Sequence, residues 1–385
     1  MPGSLLRLTR LSLTDFRSYA TLTWRPQAGI CVLHGPNGSG KTNLLEAISL
    51  LVPGRGLRGA RISDLPRRGA ASWAVAARFD TPDGPMDVGT GALPDAAPAS
   101  RGERRAFRLD GAAPRSQAEV AMRLAAVWLT PQMDRLFQES AGGRRRFLDR
   151  LVYALEPGHA REVAAHDTAM AGRNRLLAEG RRDAAWLSGL EDAMARHAVA
   201  ATAARMEVAA RLNAAPPAGA FPAARMTLAC PIAARLAASP ALAVEDWLRG
   251  ELAAARPADA GGGSATHGAH RCDMGLEDAA TGLPAALAST GQQKALLIGV
   301  ILGHAALLSE ARGFAPLLLL DEPAVHLDPD RRAALFDALR RLPAQVFLTG
   351  TDKAVFAPLR GHAEALRTTG DGLEPDADFT PQGAG

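Results

Sequence analysis

A chain of 385 residues has room for two or three domains, and 47% hydrophobic with 22% charged residues is ordinary for a globular protein. The net charge of +4 permits nucleic-acid binding without demanding it, no run approaches the roughly 18 apolar residues of a membrane span, and MPGSLLRLTRLSL lacks the features of a signal peptide. Cys31, Cys230 and Cys272 stand far apart with no CxxC pair, which indicates neither a disulfide framework nor a zinc site and suits a cytoplasmic chain.

The elements follow from periodicity. Leu6, Leu8, Leu11 and Leu13 roughly alternate as in a strand, TLTW reads as a second strand, and GICVLH as a buried one ending at His34. GPNGSGKTN comes next, and NLLEAISLL has helical spacing. GALPDAAPAS reads as a loop. From His159 to about Leu212 the pattern is helical, with Leu187, Leu190 and Met194 on one face; NAAPPAGAFPAA and RPADAGGGSATHGAH then read as breaks. Past Cys272 the strand–helix rhythm returns: a helix from about Gly291 to Glu310, strand LLLL ending at Asp321, helix PDRRAALFDALRRL and strand QVFLTG. The tail after Arg367 has acidic residues, Pro and Gly with little apolar content, and reads as disordered.

One compositional bias stands out. Of 44 Lys and Arg residues only Lys41, Lys294 and Lys353 are lysine, in a sequence rich in Ala and Arg. A lysine retained against that drift hints at a place where arginine will not serve.

The chemistry-bearing stretches begin at Gly35, Pro36, Asn37, Gly38, Ser39, Gly40, Lys41 and Thr42, which satisfy G-x-x-x-x-G-K-[S/T] between a predicted strand and a predicted helix. The glycines let backbone N–H groups face phosphates, Lys41 is expected to reach the β- and γ-phosphates, and Thr42 to ligate Mg²⁺. With Asn43 these form the expected ATP site. In LLLLDEP a buried strand delivers two carboxylates to the sheet end where open α/β folds bind ligands. Asp321 is the expected Mg²⁺ residue and Glu322 the general base, with Lys41 as its catalytic companion.

STGQQ, formed by Ser289, Thr290, Gly291, Gln292 and Gln293, resembles the signature motif of ATP-binding-cassette ATPases. In such folds the signature completes the phosphate cage of a second subunit, a role suited to donors at a helix N-terminus; the plain alternative is Ser289 as a helix cap. HLDPD, with His326 and Asp328, resembles the loop that crosses the dimer in these ATPases, and WLTPQMDRLF offers Gln132 as a metal- and water-sensing residue. Transporter members carry a His after the last strand; TGTD has none, leaving Thr349, Thr351 or His326 to take its place.

Together LTDFRSY, GPNGSGKTNLLEAISLL, GRGLR, LTPQMDRLF, RRRFLDRL, STGQQKALLI, LLLLDEPAVHLD and FLTGTD resemble the RecF family of bacterial recombination mediators. The resemblance implies an α/β fold: an ABC-type P-loop ATPase head assembled from both chain ends, with a helical arm between them. The expected divisions are an N-terminal lobe over 1–155, an arm over 156–272, a C-terminal lobe over 273–368 and a tail over 369–385. It also implies an ATP-dependent homodimer that hydrolyses ATP slowly and binds DNA at single-strand gaps or junctions, acting with RecO and RecR to load RecA. Competing readings are a short-armed SMC- or Rad50-like ATPase, a transporter ATPase with a membrane partner, and a clamp in which hydrolysis is incidental. Candidate DNA contacts are the Arg-rich stretches Arg101–Arg108, Gly143–Arg150 and Gly172–Arg182, which are equally readable as solvated faces.

Overall fold

The computed structural model describes residues 6–92, 105–180 and 183–379, which form two compact units. The first gathers both ends of the chain, residues 1–134, 217–221 and 290–385; the second comprises residues 135–216 and 222–289.

The first unit opens with β1 (Arg7–Phe16), antiparallel to β2 (Tyr19–Trp24). Leu8, Leu11, Leu13 and Phe16 are buried, while intervening residues keep more exposure, as the pleat requires. Next come β3 (Ile30–His34), buried along its whole length, and α1 (Lys41–Leu50). Strands β4 (Ala74–Thr81), β5 (Gly84–Ala92) and β6 (Arg105–Leu109) complete an antiparallel sheet in the order β2-β1-β4-β5-β6. Helix α2 (Gln117–Arg123) leads into β7 (Ala126–Leu129).

The second unit is mainly helical: α3 (Ala141–Leu155), α4 (His159–Ala178), α5 (Ala184–Ala214), α6 (Pro231–Leu236), α7 (Ala241–Ala254) and α8 (Arg256–Gly262). A two-stranded ribbon of β8 (Ala224–Ala229) and β9 (Asp273–Asp278) accompanies them. Its core includes Met194, Ala198, Ile232, Val244, Leu248 and Leu252. Arg173 is fully buried there, donating to Glu191, to Asp259 and to the Leu252 carbonyl.

The chain then returns to the first unit with α9 (Thr290–Arg312), β10 (Leu317–Leu320), α10 (Pro329–Arg341), β11 (Val346–Gly350), β12 (Ala363–Thr368) and β13 (Leu373–Pro375). The second sheet runs β13-β12-β3-β11-β10-β7, parallel apart from β13. Within it β10 is apolar throughout and β3 is apolar up to His34, as strands covered on both faces require. Buried Gln345 joins the two sheets: its Oε1 accepts from Leu8 N at 2.7 Å, and its Nε2 donates to Leu8 O at 3.2 Å. Among the described residues α9 is the one helix long and apolar enough to cross a membrane, but most of that stretch is buried in the unit's core.

Several sequence expectations are corrected. Positions 155 and 272, the expected edges of the arm, both fall inside the second unit, which begins at Arg135 and ends at Ser289. The break read at RPADAGGG contains α8, because a proline in the first helical turn leaves no extra donor unpaired. Order also continues past residue 369: β13 pairs with β12, and Lys353 bridges Asp376 and Asp378 at 3.0 and 2.9 Å. Phe379 is buried, giving the tail an apolar anchor; residues 380–385 lie outside the described residues.

The cysteines are corrected as well. Ala229 pairs with Asp273 across the β8–β9 ribbon, so Cys230 and Cys272 are the next facing pair and form a disulfide, with Cα atoms 4.5 Å apart. Their wide separation in sequence concealed a cross-strand neighbourhood; Cys31 remains a buried free thiol.

Candidate ATP site

The turn from β3 into α1 is a phosphate cradle. Gly35, Gly38 and Gly40 have φ of 143°, 80° and 95°, a region that disfavours side chains. Space is the second reason for two of them. A Cβ on Gly40 would lie 2.5 Å from the Tyr19 hydroxyl oxygen, and one on Gly35 would lie 2.9 Å from Thr368 Oγ1. Pro36, Asn37 and Gly38 are exposed at the rim, whereas Ser39 is buried and hydrogen-bonded to Thr368. Lys41 Nζ donates to the Gly35 and Pro36 carbonyl oxygens at 2.7 and 2.8 Å. Burial draws its pKa below that of ordinary lysine, while the Glu322 and Asp321 carboxylates oppose the shift.

The carboxylates arrive from the neighbouring strands. β10 delivers Asp321, whose N–H donates to Leu129 O at 2.9 Å. Thr42 Oγ1 donates to Asp321 Oδ1 at 3.0 Å, and Thr349 Oγ1, from β11, donates to the same oxygen at 2.7 Å. Glu322 follows with φ of 49°, and its N–H donates to Thr349 Oγ1 at 2.9 Å. Thr349 is fully buried, donating to the Asp321 carboxylate and accepting from the Glu322 main-chain N–H, so its hydroxyl is not available to stand in for a phosphate-binding His; Thr351 and His326 are exposed.

The donor set suits a small hard cation. Thr42 supplies a hydroxyl and Asp321 a carboxylate within hydrogen-bond reach of each other, the oxygen chemistry Mg²⁺ takes when most of its shell is water and phosphate.

Other expected residues surround this centre. Gln132 is exposed on the 3₁₀ turn Pro131–Arg135, directly after β7; parallel pairing of Leu129 with Leu320 starts that turn at the sheet end that carries Asp321. Asp328 caps α10, accepting from Arg331 N at 2.8 Å, so it has a structural task beside any role between subunits. His326 has φ of 65°. Ser289 immediately precedes α9; Thr290 and Gln292 are exposed on its first turn and Gly291 partly so. The space a Cβ on Gly291 would fill lies 3.0 Å from the His326 carbonyl oxygen, with no P-loop atom within 4 Å. The start of α9 therefore adjoins the His326 loop.

Sequence reasoning missed Glu46. Its carboxylate, buried on α1, accepts from Arg17 Nε and Nη2 at 2.8 and 2.7 Å and pairs with Arg58 at 3.4 Å. Asn43 adds bonds to Ser18 and Arg58. LTDFRSY and GRGLR thus both converge on the helix that follows the P-loop. The available signal was a lone Glu inside the apolar face of NLLEAISLL.

The Arg-rich stretches are partly consumed by structure. Arg144 binds Asp273 in bidentate fashion, Arg145 donates to Cys272 O, and Arg173 is a core residue. Arg108 and Arg146 are exposed, while 101–104 and 181–182 lie outside the described residues.

A strand–P-loop–helix joined to a neighbouring strand ending in Asp-Glu, on a parallel sheet assembled from both chain ends, defines an ABC-type P-loop ATPase head. The profile of the RecF/RecN/SMC N terminal domain matches residues 7–367. The DNA replication and repair protein RecF of Mesorhizobium japonicum is 46% identical, covering 96% of this chain and 98% of its own length. That of Agrobacterium fabrum is 45% identical, covering 95% and 98%. A solved structure described as the recombination mediator protein RecF-ATPrS in the RecFOR pathway superposes with a TM-score of 0.83 at 20% identity, covering 97% of this chain and all of that one. The chain belongs to the RecF family.

Proposed function

We propose that this chain is an ATP-dependent, dimerising DNA-binding protein of recombinational repair and replication-fork maintenance. The observation that carries the reading is the joining of P-loop and strand-end carboxylates, with Thr42 bonded to Asp321 and Thr349 fixing both Asp321 and Glu322. Backbone N–H groups of Gly38 to Thr42 and the Lys41 ammonium bind the phosphates. Thr42 and Asp321 would hold Mg²⁺, which supplies neutralising charge beside the phosphates. Glu322 orients and deprotonates the attacking water, and Gln132 senses its position. Ser289, Thr290, Gly291 and Gln292 cap the γ-phosphate of a second subunit, with His326 and Asp328 lining the junction. Action across subunits is what the resemblance of STGQQ to the signature motif of ATP-binding-cassette ATPases implies.

The DNA half rests on relatives named as DNA replication and repair proteins. On this reading the dimer binds DNA at single-strand gaps or junctions with little sequence preference, in the cytoplasm, and works with RecO and RecR to load RecA. Hydrolysis is slow and resets the clamp.

Size-exclusion chromatography of wild type and Glu322→Gln, with and without ATP, Mg²⁺ and gapped DNA, tests this. The variant should bind ATP, hydrolyse it about a hundredfold more slowly, and elute as a dimer that retains gapped DNA. A monomer under saturating ATP and Mg²⁺ would overturn the reading.

A further inference from the structure

The three lysines of this chain each sit in a compact oxygen cage. Lys41 is held by two P-loop carbonyls and Lys353 by Asp376 and Asp378. Lys294 has a cage of another kind. It stands on the first turns of α9 with its side chain only 1% exposed. Its Nζ donates to Asp134 Oδ2 at 3.3 Å and to the Glu322 main-chain oxygen at 3.1 Å. Burial lowers its pKa from that of ordinary lysine, with the Asp134 carboxylate the chief opposing influence.

Both partners matter. Asp134 shares the turn Pro131–Arg135 with Gln132. Its Oδ1 is buried and has no hydrogen-bond partner among the described residues, so the Lys294 ammonium is the charge that offsets this carboxylate. Glu322 occupies the left-handed region, which is strained for a non-glycine residue and persists only where its surroundings hold it. Here they do: its N–H is engaged by Thr349 Oγ1 and its carbonyl by Lys294 Nζ.

We propose that Lys294 is a positioning residue for ATP hydrolysis: it locks the backbone of Glu322 and ties the Gln132-bearing turn to it, fixing the general base relative to the sensor. The inference rests on Glu322 being the base. Arginine is a poor substitute, because a planar fork does not fit two oxygens placed around a compact ammonium.

The test uses the full chain with Lys294→Met, Lys294→Arg and the double variant Lys294→Met/Asp134→Asn, beside Glu322→Gln. For each, ATP affinity, kcat, KM and Tm are measured. ATP affinity and KM should stay within about threefold of wild type, since the P-loop is untouched, while kcat falls roughly tenfold or more in all three, as a small misplacement of a catalytic group produces. The double variant should recover Tm relative to Lys294→Met because no buried carboxylate is left unpaired, yet kcat should remain low. Wild-type kcat in the double variant would reduce Lys294 to charge neutralisation and overturn the inference. If Lys294→Met and the double variant do not fold, Lys294→Arg decides, and wild-type kcat in it has the same consequence. Wild-type kcat in Glu322→Gln would instead remove the base assignment, a separate failure.

Discussion

Thr349 donates its hydroxyl proton to Asp321 Oδ1 at 2.7 Å, linking the ends of two adjacent parallel strands behind the phosphate cradle. Because Thr349 Oγ1 also accepts from Glu322 N, one buried hydroxyl holds both the expected metal residue and the backbone of the expected base. Thr349→Val keeps the shape and removes both bonds. It should lower kcat by about tenfold or more while ATP affinity changes by less than about threefold. Steady-state kinetics together with equilibrium ATP binding would check this, and parallel loss of both would show that Thr349 serves binding instead.

Glu46 should matter more for stability than its polarity suggests. A buried carboxylate between two arginines, reduced to an amide, leaves charged donors imperfectly matched. Glu46→Gln should destabilise the chain by about 2–4 kcal/mol, read from the denaturation midpoint. It should also lower ATP affinity, because Arg17 and Arg58 brace α1 immediately behind Lys41 and Thr42.

The Cys230–Cys272 bridge, with a sequence separation of 42, should stabilise the helical unit by about 2–4 kcal/mol through restriction of the unfolded chain. Thiol titration of the unreduced, denatured protein should find one thiol, Cys31. Reductant should lower the Tm of wild type but not that of Cys230→Ser/Cys272→Ser. Three titratable thiols would contradict the bridge.

Much of the ATP site was legible because its parts are local. GPNGSGKT needs only a strand before it and a helix after it, and LLLLDE only an apolar strand. What the sequence hid were relationships set by register. Thr349 was a candidate phosphate contact, yet pairing of Leu320 with Leu348 turns it toward the carboxylates. Cys230 and Cys272 became neighbours only through the β8–β9 ladder, which composition does not announce. Arg173 read as a surface cation because nothing in its own helix reveals Glu191 and Asp259 on other elements. The tail misled for a related reason, a single buried aromatic, Phe379, outweighing an otherwise polar stretch.

In the proposed dimer the phosphate cage of one subunit is completed by the signature of the other. Ser289→Arg leaves the P-loop intact, so the variant should bind ATP but fail to dimerise, whereas Lys41→Met should lose its own nucleotide. Mixing the two is the most direct measurement. A Ser289→Arg subunit supplies a loaded P-loop and a Lys41→Met subunit supplies an intact signature, so each mixed dimer has one complete site. The mixture should recover ATP-dependent dimerisation and part of the hydrolysis that neither variant shows alone. Two folded variants that recover neither on mixing would contradict this arrangement and leave Ser289 an ordinary cap of α9.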